Sequence, residues 1–191
     1  MRLFVAVEVG PDVQRAAARV VDELKRRVER SAPHARVTWV QPDRLHLTVR
    51  FIGEANEALS HSICAALESP LATNPFDLTI AGIGSFPPGR PPRVLWAGLT
   101  AGLGQLRAVE REVQARLEAV GVLPEDRDHQ PHLTLARVRH ASGLRPVVLL
   151  EGLENTVLGT RRVEAVTLFE SRLSPTAPTY VALHRMPLGG A

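Results

Sequence analysis

Cysteine is nearly absent from this chain of 191 residues, in which Cys64 is the only one. A single thiol cannot form an intramolecular disulfide or supply a cysteine-based zinc site, so we expect a reducing, cytoplasmic location. Long hydrophobic runs are also missing. The apolar segment at residues 3–9 is interrupted by Glu8 and is too short for a secretory signal core or a membrane span. We therefore expect no membrane association and interpret this segment as a first β-strand.

Several nucleotide and hydrolase signatures are missing as well. The sequence contains no Gly-x-x-x-x-Gly-Lys or Gly-x-Gly-x-x-Gly loop, so ATP or a dinucleotide is not implied, and no Gly-x-Ser-x-Gly nucleophile elbow. Lysine is almost lacking, because all but one of the 23 basic residues are arginine and the formal net charge is only +3. Guanidinium groups suit phosphate oxygens, but compositional bias would give the same pattern. Charge alone does not separate these two interpretations.

The patterns that are present predict an α+β protein. The first half is predicted to contain a strand at 3–9, a helix beginning at Gly10, strands at 37–40 and 44–52, a helix at 56–67 and a strand at 76–83. The second half repeats this order, with a strand at 94–99, a helix at 103–120 and a strand at 132–138. Two final strands at 163–173 and 180–185 are predicted to pair through a turn at 174–178.

This order indicates a single domain over residues 1–191 that is made of two related halves. Strands and helices do not alternate regularly enough for a parallel doubly wound sheet, so mainly antiparallel pairing is expected. No long linker or low-complexity tract divides the chain.

The tripeptide His-Leu-Thr occurs twice, at His46 and at His132, each time within an apolar, strand-like segment. Side chains alternate across a strand, so the histidine and threonine of each copy share one face while the leucines share the other. If the leucine faces pack on the core and the two strands lie together, two imidazoles and the hydroxyls of Thr48 and Thr134 surround one cavity.

Such a cavity suits in-line displacement at phosphorus. A neutral imidazole removes a proton from the attacking oxygen, and an imidazolium protonates the leaving oxygen. Threonine hydroxyls can donate hydrogen bonds to the non-bridging oxygens. General acid and general base catalysis each contribute about 10²- to 10⁴-fold, which is enough for a strained cyclic phosphate.

Two other interpretations of the histidines stay open. A single histidine in a strand is more often a packing residue than a catalyst, although repetition of the whole motif argues against this for both copies. A metal site is the second alternative. Catalytic zinc normally has three protein ligands, and neither motif supplies them locally, but His129 lies three residues before His132 and could contribute. No metal and no cofactor is predicted.

The paired motifs and their flanking segments resemble the two-histidine (2H) phosphoesterase superfamily, and within it the bacterial RNA 2′,3′-cyclic phosphodiesterases, also described as LigT-like 2′-5′ RNA ligases. The resemblance extends over nearly the whole chain, from MRLFVAVEV through WVQPDRLHLTVRFIGE, PPRVLWAGL and PHLTLARV to LFESRLSPTAPTYVALHRMPL. It implies a bilobal, pseudo-twofold arrangement of two mainly antiparallel sheets with flanking helices around a central cleft. The implied activity is metal-independent hydrolysis of RNA 2′,3′-cyclic phosphate ends to 2′-phosphates, with 2′-5′ ligation as the reverse reaction.

The resemblance also implies roles for individual residues. His46 would protonate the departing O3′, His132 would activate water, and Thr48 and Thr134 would hold the phosphate. The family places an arginine after the second motif, which here is Arg137. If side chains alternate strictly, Arg137 lies on the face opposite His132 unless the strand bulges. Arg50 is four residues after His46 and shares its face, so Arg50 is a second, weaker candidate for binding the phosphate.

Two alternative functions remain at this point. The same motifs could cleave a small cyclic phosphate, such as a cyclic nucleotide, in place of RNA. Alternatively, the arginine content and the cleft could serve a non-catalytic module that binds RNA ends. No obligate protein partner is implied.

Overall fold

The computed structural model describes residues 1–124, 130–172 and 178–189. Within them lie nine strands and four α-helices. The strands are β1 (Arg2–Glu8), β2 (Arg36–Trp39), β3 (His46–Glu54), β4 (Phe76–Phe86), β5 (Val94–Ala101), β6 (Leu133–His140), β7 (Val157–Val163), β8 (Ala165–Arg172) and β9 (Thr179–Pro187). The helices are α1 (Gly10–Ser31), α2 (Glu57–Ala66), α3 (Leu103–Glu118) and α4 (Pro146–Leu150).

The strands form a single sheet in the order β7-β4-β5-β6-β3-β1-β8-β9, and β2 lies along β6. Each pairing between these strands is antiparallel. The predicted α+β class with mainly antiparallel pairing is confirmed. The two halves that were expected as separate sheets are joined at the centre, where Leu47 of β3 pairs with Leu133 of β6.

The strand order is balanced about this central pair. Four strands of the path lie on each side of the junction between β6 and β3, and the sequence β1-α1-β3 on one side has a counterpart in β5-α3-β6 on the other. This arrangement supports the expectation of one domain with two pseudo-symmetric lobes, which stays a prediction.

The two long helices form because apolar residues recur at helical spacing along one face of each. Helix α1 begins with Pro11 in its first turn, a position where a missing N–H costs nothing. Its buried residues are Val13, Ala16, Ala17, Val20, Val21, Leu24 and Val28, which are all the apolar positions of its helical period. Helix α3 buries Leu106, Val109, Val113 and Leu117 in the same way. These faces cover the sheet and leave its other surface for the site.

Two elements were not predicted, namely helix α4 and strand β7. Helix α4 has only five residues, too few for a periodic pattern. Strand β7 lies at the edge of the sheet, and three of its consecutive residues, from Thr160 to Arg162, are exposed and polar, which hides the strand pattern. The single strand expected at 163–173 is divided, since β7 ends at Val163 and β8 begins at Ala165. Most of the turn predicted at 174–178 lies outside the described residues.

The central pair of Leu47 and Leu133 should contribute strongly to the stability of the fold. Leu133 is fully buried where the two halves of the sheet meet. We expect Leu133→Ala to lower the free energy of unfolding by about 2–5 kcal/mol, through lost burial and the cavity left behind. Urea denaturation followed by circular dichroism measures this change. Leu123→Ala is the matched control, because Leu123 is 82% exposed and should change stability little. Equal effects of the two substitutions would contradict the structural importance of the pair.

Candidate active site

The two His-Leu-Thr segments lie on neighbouring strands at the centre of the sheet. Leu47 and Leu133 are paired in antiparallel register and are both fully buried. This register sets His46 beside Thr134 and His132 beside Thr48, with all four side chains on the face opposite the leucines. The structure therefore brings the four predicted residues together on one surface.

Both imidazoles are fixed by the same local hydrogen bond. Nδ1 of His46 lies 2.8 Å from the carbonyl oxygen of Arg44, and Nδ1 of His132 lies 2.7 Å from that of Gln130. In each case the carbonyl belongs to the residue two positions earlier. Because a carbonyl oxygen only accepts, Nδ1 donates and holds the ring proton. In the neutral ring Nε2 is then the basic nitrogen, which leaves it to take up or release a proton.

Both motif strands bulge at the same position. In β3 the pairing with β1 shifts by one residue between Thr48 and Arg50, and in β6 the pairing with β5 shifts between Thr134 and Ala136. The extra residue is thus the third after the histidine in each strand. Two consecutive buried residues follow the threonine in both strands, as expected when a bulge interrupts the alternation.

The bulge in β6 returns Arg137 to the face of His132 and Thr134. Arg137 is exposed and borders the same cavity as His46 and Thr48. Strict alternation would place Arg137 on the face opposite His132, and the bulge explains why the two residues share a face. The structure brings Arg137 to the candidate site, while its role in binding substrate stays a prediction.

Arg50 is not brought to the candidate site. The bulge in β3 turns Arg50 towards the interior, where it is 4% exposed. Its Nη2 donates a hydrogen bond to the carbonyl oxygen of Leu123 at 2.5 Å. Arg50 was expected on the face of His46 because side chains alternate along a strand, but this alternation does not continue past Thr48. The arginine instead holds the segment that follows α3.

A basic cavity of about 610 Å³ lies beside His46, and we call it the His46 cavity. Its charged lining consists of arginines, and none of its described lining residues is acidic. These arginines are Arg2, Arg44, Arg137 and Arg139. The guanidinium of Arg2 lies 5.1 Å from the ring centre of Phe51, which occupies in β3 the position that Arg137 occupies in β6. The cavity can hold an anion or a chain of phosphates.

His46 itself is held among aromatic rings. The ring of Phe4 lies 4.9 Å from His46, and that of Tyr180 meets it edge-on at 5.1 Å. Burial lowers the pKa of His46, the hydrogen bond to the Arg44 carbonyl raises it, and the charge of Arg137 lowers it further, with a net lowering. In the protein without substrate, the neutral imidazole is therefore favoured. Burial also raises the pKa of Tyr180, which keeps its hydroxyl protonated.

A second cavity, of about 570 Å³, lies beside His132, and we call it the His132 cavity. Phe86 meets His132 edge-on at 5.2 Å, and Trp96 lies 5.1 Å from Phe86. The charged groups of this lining are Arg107 and Glu154. The two histidines thus border cavities of different chemistry.

Sequence reasoning missed Phe4, Tyr180, Arg44, Arg139 and the residues of the His132 cavity other than His132. Phe4 reads as a core residue of a continuously apolar strand, and Tyr180 belongs to a strand on the far side of β1. Only the pairing of strands that are distant in sequence brings these side chains to the histidines. No local signal could have identified Phe4 or Tyr180, whereas Arg139 lies two residues after Arg137 on the same strand.

The metal alternative finds no support in the described part of the chain. Residues 1–124, 130–172 and 178–189 contain no group of three or more histidine, cysteine or acidic side chains placed to hold a metal ion. His129, the additional ligand considered from the sequence, lies outside the described residues.

A curved antiparallel sheet with two His-x-Thr strands side by side defines a two-histidine phosphoesterase. The chain belongs to the family of LigT-like phosphoesterases, whose family model matches residues 11–96 and 100–180. This membership confirms the resemblance found in the sequence and the prediction of an enzyme that acts on phosphate esters.

Several relatives carry the name RNA 2′,3′-cyclic phosphodiesterase. A protein of Thermus thermophilus is 36% identical over 204 aligned positions, which cover 100% of this chain and 91% of that protein. One of Aeropyrum pernix is 34% identical over 148 positions, covering 77% of this chain and 84% of its own length.

Solved structures show the same fold. A crystal structure of a Thermus thermophilus protein aligns with a TM-score of 0.78 at 30% identity and covers 100% of this chain and 99% of its own. The structure of Escherichia coli LigT with 3′-AMP aligns with a TM-score of 0.69 at 22% identity, covering 99% and 98% of the two chains. Across the part of our chain that the structure describes, every helix is too short or too polar to cross a bilayer.

The surroundings of His46 predict its titration. We expect the pKa of His46 to lie below the ordinary histidine value of about 6.5, because burial and the Arg137 charge both oppose protonation. Arg137→Gln removes a positive charge and should raise the midpoint. NMR titration of the histidine ring protons measures this, with His46→Ala assigning the signal. Arg139→Gln is the matched control, since Arg139 lines the same cavity but is not a cause of the shift. A midpoint that falls in Arg137→Gln would contradict this account.

Proposed function

We propose that this protein hydrolyses the 2′,3′-cyclic phosphate end of RNA to a 2′-phosphate, with His46 and His132 as general acid and general base. The observation that carries the proposal is the central antiparallel pair of Leu47 and Leu133, which sets both motifs on one face. The names of the Thermus thermophilus and Aeropyrum pernix relatives support the same reaction.

The reaction follows from the position of the two histidines on either side of the central pair. Nε2 of His132 takes a proton from a water molecule as the water oxygen attacks phosphorus. The bond between phosphorus and O3′ breaks, and Nε2 of His46 gives its proton to the departing O3′. The product carries its phosphate on O2′ and a free 3′-hydroxyl. Attack and departure on opposite sides of phosphorus require acid and base on opposite sides of the site.

The remaining residues hold the phosphate. The hydroxyls of Thr48 and Thr134 donate hydrogen bonds to the non-bridging oxygens as negative charge develops there. Arg137 supplies a guanidinium at the edge of the same site. The other arginines of the His46 cavity attract the phosphates of the preceding nucleotides, which favours RNA over a single small nucleotide.

Substrate binding raises the pKa of His46, so that the ring takes up from solvent the proton that it needs. In the free protein the pKa of His46 is lowered, partly by Arg137. A bound phosphodiester anion compensates the charge of Arg137 and adds a negative charge near the imidazole, and both changes raise the pKa. His46 therefore becomes protonated as the substrate binds.

Ligation is the same displacement with the 5′-hydroxyl of a second RNA in place of water. The 5′-oxygen loses its proton to the base and attacks phosphorus, the bond to O3′ breaks with protonation of O3′ by the acid, and a 2′-5′ bond results. Water is present at far higher concentration than RNA ends, so hydrolysis dominates in dilute solution.

Removal of either imidazole tests the proposal. We expect His46→Ala and His132→Ala each to lower kcat for an oligonucleotide 2′,3′-cyclic phosphate by about 10²- to 10⁴-fold, because each loses one proton transfer. The assay contains EDTA and follows product by chromatography. His61→Ala, at an exposed position on α2, is the control and should keep full activity. Full activity in either active-site variant would disprove the mechanism.

A substrate panel separates RNA from a small cyclic nucleotide. We expect kcat/KM to be higher for a short oligonucleotide 2′,3′-cyclic phosphate than for the corresponding mononucleotide, because only the oligonucleotide places phosphates among the arginines. The advantage should shrink as salt is raised and in Arg139→Gln. Phosphorus NMR identifies the product, which should be the 2′-phosphate. A better rate with the mononucleotide, or a 3′-phosphate product, would favour a different cyclic phosphodiesterase.

A further inference from the structure

The His132 cavity lies on the side from which a nucleophile reaches the phosphorus atom. In-line attack comes from the side opposite O3′, and in the proposed mechanism His132 takes the proton of the nucleophile while His46 serves O3′. The His132 cavity borders the first of these histidines and the His46 cavity borders the second. The group that carries the nucleophile is therefore directed into the His132 cavity, away from the ribose that carries O3′.

This cavity is far larger than a water molecule requires. Its volume is about 570 Å³, which is in the range of small-molecule sites. A single water molecule needs no more than about 30 Å³. Hydrolysis thus leaves most of the volume unused, whereas a nucleophile attached to a larger group would fill it. In ligation the nucleophile is the 5′-hydroxyl of a second RNA, and the attached group is the first nucleoside of that RNA.

The charge of the cavity fits the 5′ end of such an RNA. The charged groups of its described lining are Arg107 and Glu154, one of each sign, whereas four arginines line the His46 cavity. A 5′-hydroxyl nucleoside has no phosphate on its 5′ side and one on its 3′ side, so it needs fewer cations than a chain of phosphates. Arg107 can bind this one phosphate, and Glu154 can accept a hydrogen bond from a ribose hydroxyl.

Apolar side chains in the same lining can hold a nucleobase. Phe86 meets His132 edge-on at 5.2 Å, which places an aromatic ring directly beside the histidine that receives the proton. Leu103 begins α3 and lines the cavity, yet it is 43% exposed. Covering this apolar surface with a nucleobase would be favourable. The cavity therefore offers an apolar surface, one cation and one hydrogen-bond acceptor.

We infer that the His132 cavity binds the 5′-terminal nucleoside of a second RNA, whose 5′-hydroxyl attacks phosphorus in place of water. This inference rests on the proposed function, because it assigns His132 to the nucleophile. The 5′-hydroxyl gives its proton to Nε2 of His132, the bond between O5′ and phosphorus forms, the bond to O3′ breaks and His46 protonates O3′. The protein thus has an acceptor site in addition to the site for the cyclic phosphate.

The test measures how the wild type divides one substrate between two products. An oligonucleotide 2′,3′-cyclic phosphate is incubated with a 5′-hydroxyl dinucleotide or, at the same concentration, with methyl riboside, whose 5-hydroxyl group lacks a nucleobase. Chromatography with mass spectrometry gives the ratio of transfer to hydrolysis. We expect transfer to saturate with the dinucleotide. Its ratio should be about 5- to 100-fold higher than with methyl riboside, as for one nucleobase on an aromatic surface.

Leu103→Asp tests the cavity itself. An acidic residue in the first turn of a helix is favourable, so α3 should be kept. The carboxylate removes apolar surface and repels the phosphate of the dinucleotide, so the ratio of transfer to hydrolysis should fall about 3- to 30-fold. Val147→Asp is the matched control, because Val147 is an exposed residue in the first turn of α4 and outside both cavities. It should leave the ratio unchanged.

The outcomes separate this inference from the proposed function. If the wild type does not hydrolyse the cyclic phosphate, the proposed function itself fails. Hydrolysis without transfer, equal ratios for the two acceptors, or transfer that never saturates would disprove the acceptor site and leave the proposed function standing. Equal losses of transfer and hydrolysis in Leu103→Asp would show a structural role for Leu103 and overturn the inference.

A measurement on the wild type alone serves if Leu103→Asp does not fold. A dinucleotide with a 5′-deoxy end has the nucleoside but no nucleophile. It should raise the KM of the 5′-hydroxyl dinucleotide in transfer and leave the KM of the cyclic phosphate unchanged. Competition with the cyclic phosphate, or no inhibition of transfer, would contradict the inference.

Discussion

The antiparallel contact between Leu47 and Leu133 is the constraint on which the site depends. It joins the two halves of the sheet, and its leucines are fully buried on the core side. Burial of both leucines fixes the register, because a slip by one residue would turn the leucines out and the histidines in. The open face then carries His46 and His132 together. Stability of the core and geometry of the site therefore depend on the same pair.

The bulges explain how two equivalent strands give an unsymmetrical site. Each motif strand inserts its extra residue at the same distance from the histidine, so the fifth residue after each histidine returns to the open face. In β3 that residue is Phe51, and in β6 it is Arg137. The backbone is alike in both strands while the side chains differ. One guanidinium thus lies on the open face, where it borders the same cavity as His46 and lowers the pKa of that imidazole.

Local patterns were enough to predict most of the fold. Period-2 and helical spacing identified the strands of both motifs and the long helices, since these depend on which residues face the core. The repeated His-Leu-Thr also predicted which side chains share a face. The prediction failed where alternation is interrupted: strict parity favoured Arg50, which the bulge buries. It also could not place Tyr180 or Trp96 beside the histidines, because those contacts come from pairing between distant strands.

The charges of the site couple binding to catalysis in the proposed mechanism. Aromatic burial by Phe4 and Tyr180 and the guanidinium of Arg137 keep His46 neutral before substrate binds. The same guanidinium attracts the phosphate whose charge reverses its effect. Because a bound phosphate raises the pKa of His46, the ring is neutral before binding and carries the proton of the general acid once the substrate is in place. Arg137 then contributes both to phosphate binding and to the protonation of His46, so its removal cannot be read as a loss of affinity alone.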